Sequence, residues 1–274
     1  MEPITFKQCF MGAWRDGWNA LRSRPLLTLT VAVVVLVSNA VSVSIKQLVL
    51  VMAQNGESPE HRLALAGVGL CVALVNLVAY TVLGVHTYRH TVLGPDAARQ
   101  TPWYRNLLRY WWAMIQVFGG AFVAMFIVTV VIVLALRLAD LGGSRATILT
   151  LFVLLGCAAA FIIVRLSLIY TQIAVGRSKR WGAAWHDTRG HFWSLWGTVF
   201  TTLLPLMAVG VIVTIIFGLV LTLWPTVTLA VLGALLLHTV VTLLYIAVGS
   251  ASHAWLYLRY ADQLLTYEDA PDDL

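Results

Sequence analysis

The chain has 274 residues, of which 60% are hydrophobic and only 11% are charged. Soluble domains average about 25% charged residues, so this composition excludes a water-soluble protein. The formal net charge of +6 comes from basic residues that flank apolar segments, and it therefore indicates no nucleic-acid partner.

Six long apolar runs follow one another along the chain. Each reaches the length of roughly 20 residues that crosses about 30 Å of hydrocarbon. The first run is too long, and begins too far from the N-terminus, to be a cleavable secretory signal. We therefore predict an all-α integral membrane protein with six transmembrane helices. In chain order, the predicted spans are Leu26–Val51, Leu63–Val85, Ala113–Leu136, Ala146–Tyr170, Leu195–Leu223 and Thr226–Val248.

The basic residues are divided unequally between the two sides of these spans. Fourteen of the 18 Lys and Arg residues lie in the N-terminal segment, the second and fourth connecting regions and the C-terminal region. The opposite side carries the other four, which are Lys46, Arg62, Arg137 and Arg145. Because the richer side normally faces the cytoplasm, we predict that both termini are cytoplasmic.

Three similar units divide the chain, at 1–97, 98–176 and 177–262. Each begins with a basic stretch that contains tryptophan and continues into two spans. In the first stretch, aromatic and small residues recur at three- and four-residue spacing, which is typical of a helix that lies at the membrane surface. We predict three hairpins, each preceded by a cytoplasmic interfacial amphipathic helix. The three stretches are Phe6–Arg24, Pro102–Trp112 and Ser178–Trp196.

The connections outside the membrane are short, so we treat 1–274 as one membrane domain. The polar turns Ala53–Arg62 and Arg137–Arg145 have no room for a folded external domain. The last residues, 263–274, are predicted to form a disordered acidic tail, because Glu268–Leu274 contains four acids and a proline.

Charged and polar side chains inside the spans are the best indication of function in a membrane protein. All 12 acidic residues lie outside the spans or at their ends, so no carboxylate is available there for a proton relay or a sodium site. The polar candidates within the spans are His238, Asn39, Asn76 and Arg165. We expect His238 and the two asparagines to form hydrogen bonds between helices. We expect Arg165 to snorkel to the headgroups, or to pair with a phosphate or an internal carbonyl.

A second group of candidates lies at the predicted cytoplasmic boundary. Here Arg89, Arg177, Arg180 and His186 are expected to contact lipid headgroups. His86 and His90 have the spacing of two metal ligands on one helix face, but no Cys or acid nearby completes a site. The sequence contains no His-Glu-x-x-His, Gly-x-Ser-x-Gly or Walker motif. We therefore predict no catalytic residues, no metal and no cofactor.

The stretch from the fourth span into the fifth resembles a group of bacterial six-span membrane proteins. The similarity lies in Arg165–Gly176, Trp181–Thr188 and His191–Trp193. The group contains the YciC-like inner-membrane proteins and the membrane domain attached to some glycerophosphodiester phosphodiesterases. The resemblance implies a bacterial cytoplasmic (inner) membrane location. The phosphodiesterase activity of such proteins belongs to a separate soluble domain, which has no room in this chain.

Two functional hypotheses follow. The first is a non-enzymatic multi-pass protein with a scaffolding, accessory or regulatory role in the cell envelope. Its expected partners are membrane lipids and another membrane protein or a second copy of the chain. The alternative is a transporter or permease-like subunit for a lipid or amphiphilic small molecule. In that case Asn39, Asn76, His238 and Arg165 would line the path.

Overall fold

The computed structural model describes residues 4–54, 59–100, 102, 104–138, 145–223 and 228–266. Within these ranges the chain forms twelve α-helices and one π-helical turn, and no strand. The first six helices are α1 (Phe6–Ser23), α2 (Pro25–Gln54), α3 (Pro59–Leu93), α4 (Pro95–Gln100), α5 (Leu107–Met114) and α6 (Gly120–Leu138), with the π-helical turn Ile115–Gly119 between the last two. The remaining helices are α7 (Arg145–Leu166), α8 (Leu168–Ala174), α9 (Trp181–Asp187), α10 (Phe192–Leu223), α11 (Thr228–Tyr260) and α12 (Asp262–Thr266).

Six helical segments are long and apolar enough to cross a membrane. This confirms the predicted class, an all-helical multi-pass membrane protein. The segments are Pro25–Val49, Leu63–Leu93, Leu107–Leu134, Val153–Ala174, Phe192–Ile216 and Val231–Tyr260.

Two of these helices continue further than the sequence predicted. We expected spans that end at Val85 and Val248, but α3 runs to Leu93 and α11 runs to Tyr260. With 35 residues, α3 is roughly 50 Å long, well beyond about 30 Å of hydrocarbon. Both extensions lie at the end of the bundle that also carries α1, α4, α5, α9 and α12. We call this the basic end, and the opposite end the far end.

Helix α11 occupies the centre of the bundle. It packs against α10, α3, α2 and α8, and along most of α1. Consecutive spans also pack together, with α2 against α3, α6 against α7, and α10 against α11.

Helix α1 is packed against protein along one face. Its buried residues include Cys9, Gly12, Ala13 and Gly17, which lie on one face of the helix. Gly17 allows a close approach, because a Cβ atom there would lie 3.0 Å from the Cα atom of Val248. Burial raises the pKa of the Cys9 thiol above its usual range. The predicted stretch is thus a helix, and its small-residue face contacts α11.

The second and third predicted stretches differ from the first. Helix α5 continues through the π-helical turn into α6, so Trp111 and Trp112 belong to the same helical segment as the third span. The third stretch contains the seven-residue helix α9 and the start of α10 at Phe192. Of the three, α1 is the one that forms a separate helix longer than two turns.

The first residues of the predicted tail are helical. Residues 263–266 belong to α12, where Leu264 is buried. The carboxylate of Asp187 accepts hydrogen bonds from the backbone N–H groups of Gln263, at 3.1 Å, and Leu264, at 3.0 Å. These bonds attach α12 to the end of α9, so 263–266 are folded. The rest of the predicted tail, 267–274, lies outside the described residues.

Candidate functional site

A cleft of about 460 Å³ opens near the basic end, between the α7–α8 segment and the α10–α11 pair. Most of its wall is apolar. Helix α10 contributes several of these side chains, and the π-helical turn and α11 contribute others. The apolar lining includes Phe118, Ile163, Val199, Leu203, Met207 and Leu256.

Three tyrosines from different helices meet at this cleft. Tyr88 belongs to the extension of α3, Tyr110 to α5 and Tyr170 to α8. Their ring centroids are 6.2 Å apart for Tyr88 and Tyr110, and 5.7 Å apart for Tyr110 and Tyr170. All three rings are buried. The cleft therefore has one cluster of phenols in a mostly apolar wall, which also contains Ser167, Tyr245 and His253.

The Tyr170 hydroxyl has no hydrogen-bond partner within the part of the chain that the structure describes. The residue is only 8% exposed, and its ring stacks on Phe118 at a centroid distance of 6.5 Å. A buried polar group without a partner costs about 1–3 kcal/mol. A bound molecule with an oxygen atom near this hydroxyl would remove that cost.

Both helix irregularities of the second pair of spans line the cleft. The π-helical turn presents Phe118, and the break between α7 and α8 presents Ser167. At the break, the N–H of Tyr170 bonds to the carbonyl of Ser167 at 3.3 Å, three residues back instead of four. Turns of this kind inside helices occur frequently at functional sites. In membranes, irregular backbone is tolerated where it is buried in protein or lines a cavity.

The four predicted intramembrane residues do not line this cleft. His238 is exposed on α11, so the prediction that it faces another helix is wrong. Asn39 and Asn76 are half-buried on α2 and α3. The Nδ2 atom of Asn39 and the Oδ1 atom of Asn76 have no hydrogen-bond partner among the described residues. These atoms therefore do not form the interhelical hydrogen bonds that we expected, and the described residues show no common path that joins the four side chains.

Arg165 pairs with protein instead of snorkelling. Its side chain is buried, and a guanidinium N–H donates to the carbonyl of Trp185 at 2.8 Å. The guanidinium also lies over the Trp185 ring, 4.5 Å from the centroid. The hydroxyl of Thr188 donates back to the carbonyl of Arg165 at 2.9 Å. Arg165 thus connects α7 to α9, which is the internal-carbonyl alternative of the prediction.

Arg89 was expected to contact headgroups, and the structure contradicts this. The side chain is buried, and its guanidinium donates to the backbone carbonyls of Ala174, at 2.8 Å, Pro102, at 2.8 Å, and Arg105. These carbonyls belong to two other parts of the chain. Because a guanidinium has five N–H donors in a fixed plane, it can bind several carbonyls at once. Arg89 therefore holds α3, α8 and the 102–105 segment together.

The other three predicted headgroup contacts lie in α9 or in the segment directly before it. Arg177 is half-buried and donates to the Tyr257 hydroxyl at 2.9 Å. Arg180 is half-buried at the N-cap of α9, and His186 is exposed in the last turn of that helix. Arg180 and His186 share one short helix, and the structure does not bring them together with Arg89.

His86, the first of the two histidines on α3, has a packing role. The Nε2 atom of His86 lies 3.0 Å from the Ser23 hydroxyl and 3.2 Å from the carbonyl of Ala20. His86 therefore joins α3 to the end of α1. Among the described residues, no three His, Cys, Asp or Glu side chains form a group that could hold a metal ion.

Sequence reasoning missed the tyrosine cluster. Tyr170 ends the fourth predicted span, and tyrosine is common at the membrane boundary, so its position there gave no sign of a site. A more useful indication was the position of Tyr88 among His86, Arg89 and His90. These residues follow the predicted end of the span, where a membrane helix was not expected to continue.

Comparison of the chain with protein-family models, with curated proteins and with solved structures gives no match. The site is therefore interpreted from its geometry.

Proposed function

We propose that this chain is a non-enzymatic protein of the bacterial cytoplasmic membrane with an accessory or regulatory role in the cell envelope. In this proposal its basic end and both termini face the cytoplasm, and its cleft binds an acyl chain of a membrane lipid or another amphiphile. The spans form three successive hairpins, with α1 as an amphipathic helix near the membrane surface. The distribution of Lys and Arg supports the orientation. The contacts between consecutive spans support the hairpins.

The observation that carries the proposal is the apolar cleft with a single phenolic cluster. Its volume, about 460 Å³, lies within the range of small-molecule sites. Such sites typically combine a large apolar surface with a few polar groups that fix the ligand's orientation. Here the apolar wall suits a hydrocarbon chain, and Tyr170 and Ser167 suit an ester or hydroxyl oxygen.

The hydrogen bonds of the polar side chains at the basic end support the non-enzymatic role. Arg89, Arg165 and Asp187 are buried, and each forms hydrogen bonds with backbone groups of other elements. Residues used in this way stabilise the fold and are not available as acids, bases or nucleophiles. An accessory protein that senses or retains a lipid needs only the cleft and a stable surface for its partner.

A carrier for a lipid or amphiphile is the second candidate. It is favoured by one observation, the position of the π-helical turn and the Ser167 break, which both lie on the cleft. Discontinuous helices of this kind are common at transporter binding sites. The carrier proposal predicts that vesicles with the protein move a fluorescent phospholipid across the bilayer faster than empty vesicles. Equal rates in the two preparations would contradict it.

Photolabelling tests the cleft. The protein is reconstituted in vesicles that contain a phospholipid with a diazirine in its acyl chain, and the labelled peptides are mapped by mass spectrometry. We expect Leu203 and Met207 to be labelled about fivefold more than the exposed residues Phe122 and Phe126 of α6, equivalent to a preference of about 1 kcal/mol. Uniform labelling of the two regions would contradict a specific site.

A matched pair of variants on α10 controls this experiment. Val199→Trp places a large ring in the cleft, and Val211→Trp places the same ring on an exposed position of the same helix. Only Val199→Trp should reduce labelling of Leu203 and Met207 to the level of α6. Equal effects of the two variants would show that the labelling reports general lipid contact.

A further inference from the structure

A second cavity, of about 670 Å³, lies at the basic end and shares no lining residue with the cleft around Tyr88, Tyr110 and Tyr170, which we call the tyrosine cleft. It is a polar crevice between the last turns of α1, the end of α3 and the turn into α4. We call it the α1–α3 crevice. Its lining includes Arg15, Asn19, Arg22, His90, Thr91 and Arg99.

The charge of the α1–α3 crevice is positive. Arg15, Arg22 and Arg99 line it, and all three are exposed. Asp16 is the acidic residue in the lining, and its charge is already matched. One carboxylate oxygen accepts from Arg15 at 3.0 Å, and the other accepts from the indole N–H of Trp255 at 3.0 Å. Two guanidinium groups, those of Arg22 and Arg99, therefore remain as excess positive charge.

Two buried polar atoms in the same crevice need a partner. The Nδ1 atom of His90 and the Oγ1 atom of Thr91 are buried and have no hydrogen-bond partner in the described ranges. His90 is only 9% exposed and lines the crevice. An imidazole nitrogen and a hydroxyl can both donate a hydrogen bond to an anionic oxygen. The crevice thus joins excess positive charge to donors that the protein leaves unused.

We infer that the α1–α3 crevice binds a phosphate group, with Arg22 and Arg99 supplying charge and His90 and Thr91 supplying hydrogen bonds. Guanidinium groups match the geometry of phosphate oxygens and bind them with two parallel hydrogen bonds. The inference does not depend on the tyrosine cleft, which shares none of these residues.

The neighbouring surface favours a lipid as the source of the phosphate. An apolar groove of about 500 Å³ runs between α2 and α3 and is lined by Leu27, Val31, Ala79 and Val82. Ala79 and His90 are three helical turns apart, so both lie on the same face of α3. Trp18, exposed beside Arg22 on α1, suits the headgroup level of the membrane. A phospholipid with its phosphate in the crevice would have its acyl chain on the side of this groove.

Binding of short-chain lipids to the full-length protein in a neutral detergent tests the inference. The probes are dioctanoyl phosphatidic acid, dioctanoylglycerol, which has the same chains without the phosphate, and inorganic phosphate. We expect the phosphatidic acid to bind and dioctanoylglycerol to bind much more weakly. Equal binding of the two lipids would overturn the inference. Competition by inorganic phosphate would show that the site accepts free phosphate, whereas its failure to compete would identify the lipid headgroup as the ligand; either result supports a phosphate site.

Charge-matched variants locate the binding. The double variant R22Q/R99Q should weaken binding of phosphatidic acid roughly 25-fold, since each basic residue near an anionic lipid contributes about fivefold. The control R109Q/R105Q removes two exposed charges at the same end but outside the crevice, and should change binding less than about twofold. Equal losses in the two double variants would overturn the inference in favour of general attraction. Because all four side chains are exposed, both variants should keep the thermal stability of the parent protein.

His90→Phe distinguishes a hydrogen-bonding site from a purely electrostatic one. The side chain stays aromatic, but the Nδ1 atom is lost. We expect at least a threefold weaker affinity for phosphatidic acid and an unchanged affinity for dioctanoylglycerol. If the variant binds phosphatidic acid as the parent does, His90 is not part of the site. Should His90→Phe not fold, the arginine variants still decide the matter.

Discussion

The basic end and the far end of the bundle differ in what covers the helices. At the basic end, residues 81–90 of α3 are buried without interruption. Towards the far end, α6 presents Phe122, Phe126 and Val131, which are all exposed. Both regions consist of long helices, so the difference lies in their neighbours. Protein packs around the first region, and lipid is left to cover the second.

The contacts that determine the fold of such a protein are spread unevenly along its helices. Apolar side chains gain little by exchanging lipid for protein, so helices in a membrane associate through close packing and polar contacts. In this chain both kinds of contact concentrate at the basic end. Gly17 lets α1 approach α11, and Arg89 binds three carbonyls of other segments. We therefore expect substitutions at the basic end to affect stability more than equivalent substitutions elsewhere.

The largest effect is expected for Arg89→Met. The variant keeps much of the side-chain volume but removes the guanidinium from three carbonyls that are buried or partly buried, so the free energy of unfolding should fall by about 3–5 kcal/mol. Thermal unfolding in detergent, followed by tryptophan fluorescence, measures the change. The control is Arg109→Met, which alters an exposed residue at the same end. Similar unfolding temperatures for the two variants would show that Arg89 does not stabilise the basic end.

Two leucines on one helix test the comparison directly. Leu83 is fully buried in α3, whereas Leu70, further towards the far end, is 63% exposed. Leu83→Ala should cost about 2–4 kcal/mol through lost contacts and a cavity, whereas Leu70→Ala should stay within about 0.5 kcal/mol. The same unfolding measurement applies. A comparable cost at both positions would mean that the far end is packed against a partner in the membrane.

Alanine substitutions at two glycines should change stability by smaller amounts and with opposite signs. A Cβ atom at Gly17 would meet the backbone of α11, at 3.0 Å from Val248 and 3.1 Å from Ala247. Gly17→Ala should therefore destabilise by about 1–3 kcal/mol. At Gly67, nothing lies within 4 Å of such an atom, and alanine should stabilise the helix by about 0.5–1 kcal/mol. Changes of the same sign at both positions would contradict the close packing of α1.

The six spans could be predicted from the sequence because bilayer thickness dictates the length of an apolar run. The ends of α3 and α11 could not. His86 and Arg89 suggested that the chain had left the membrane at this point of α3. Their partners, however, lie 66 and 85 residues away, at Ala20 and Ala174. A polar side chain with such partners is compatible with a buried helix, and only the tertiary structure reveals them.

The candidate sites were predicted less well, for a related reason. Residues such as His238 were selected by their depth in a span, although function depends on the side of the helix that they occupy. The tyrosine cleft draws on six separate helices and a π-helical turn, and no local pattern marks that turn. For the α1–α3 crevice, the basic residues were visible in the sequence, but their proximity to the unused donors of His90 and Thr91 was not.

The packing of α1 against α11 also constrains the order of events during synthesis. The hydrogen bond between Asp16 and Trp255 joins residues 239 positions apart. The first helix made can reach its final contacts only after the last span has left the ribosome. Until then, the small-residue face of α1 has no partner from its own chain. Contacts of such long range form slowly, and a chain truncated before α11 should insert its first spans yet leave α1 accessible to protease.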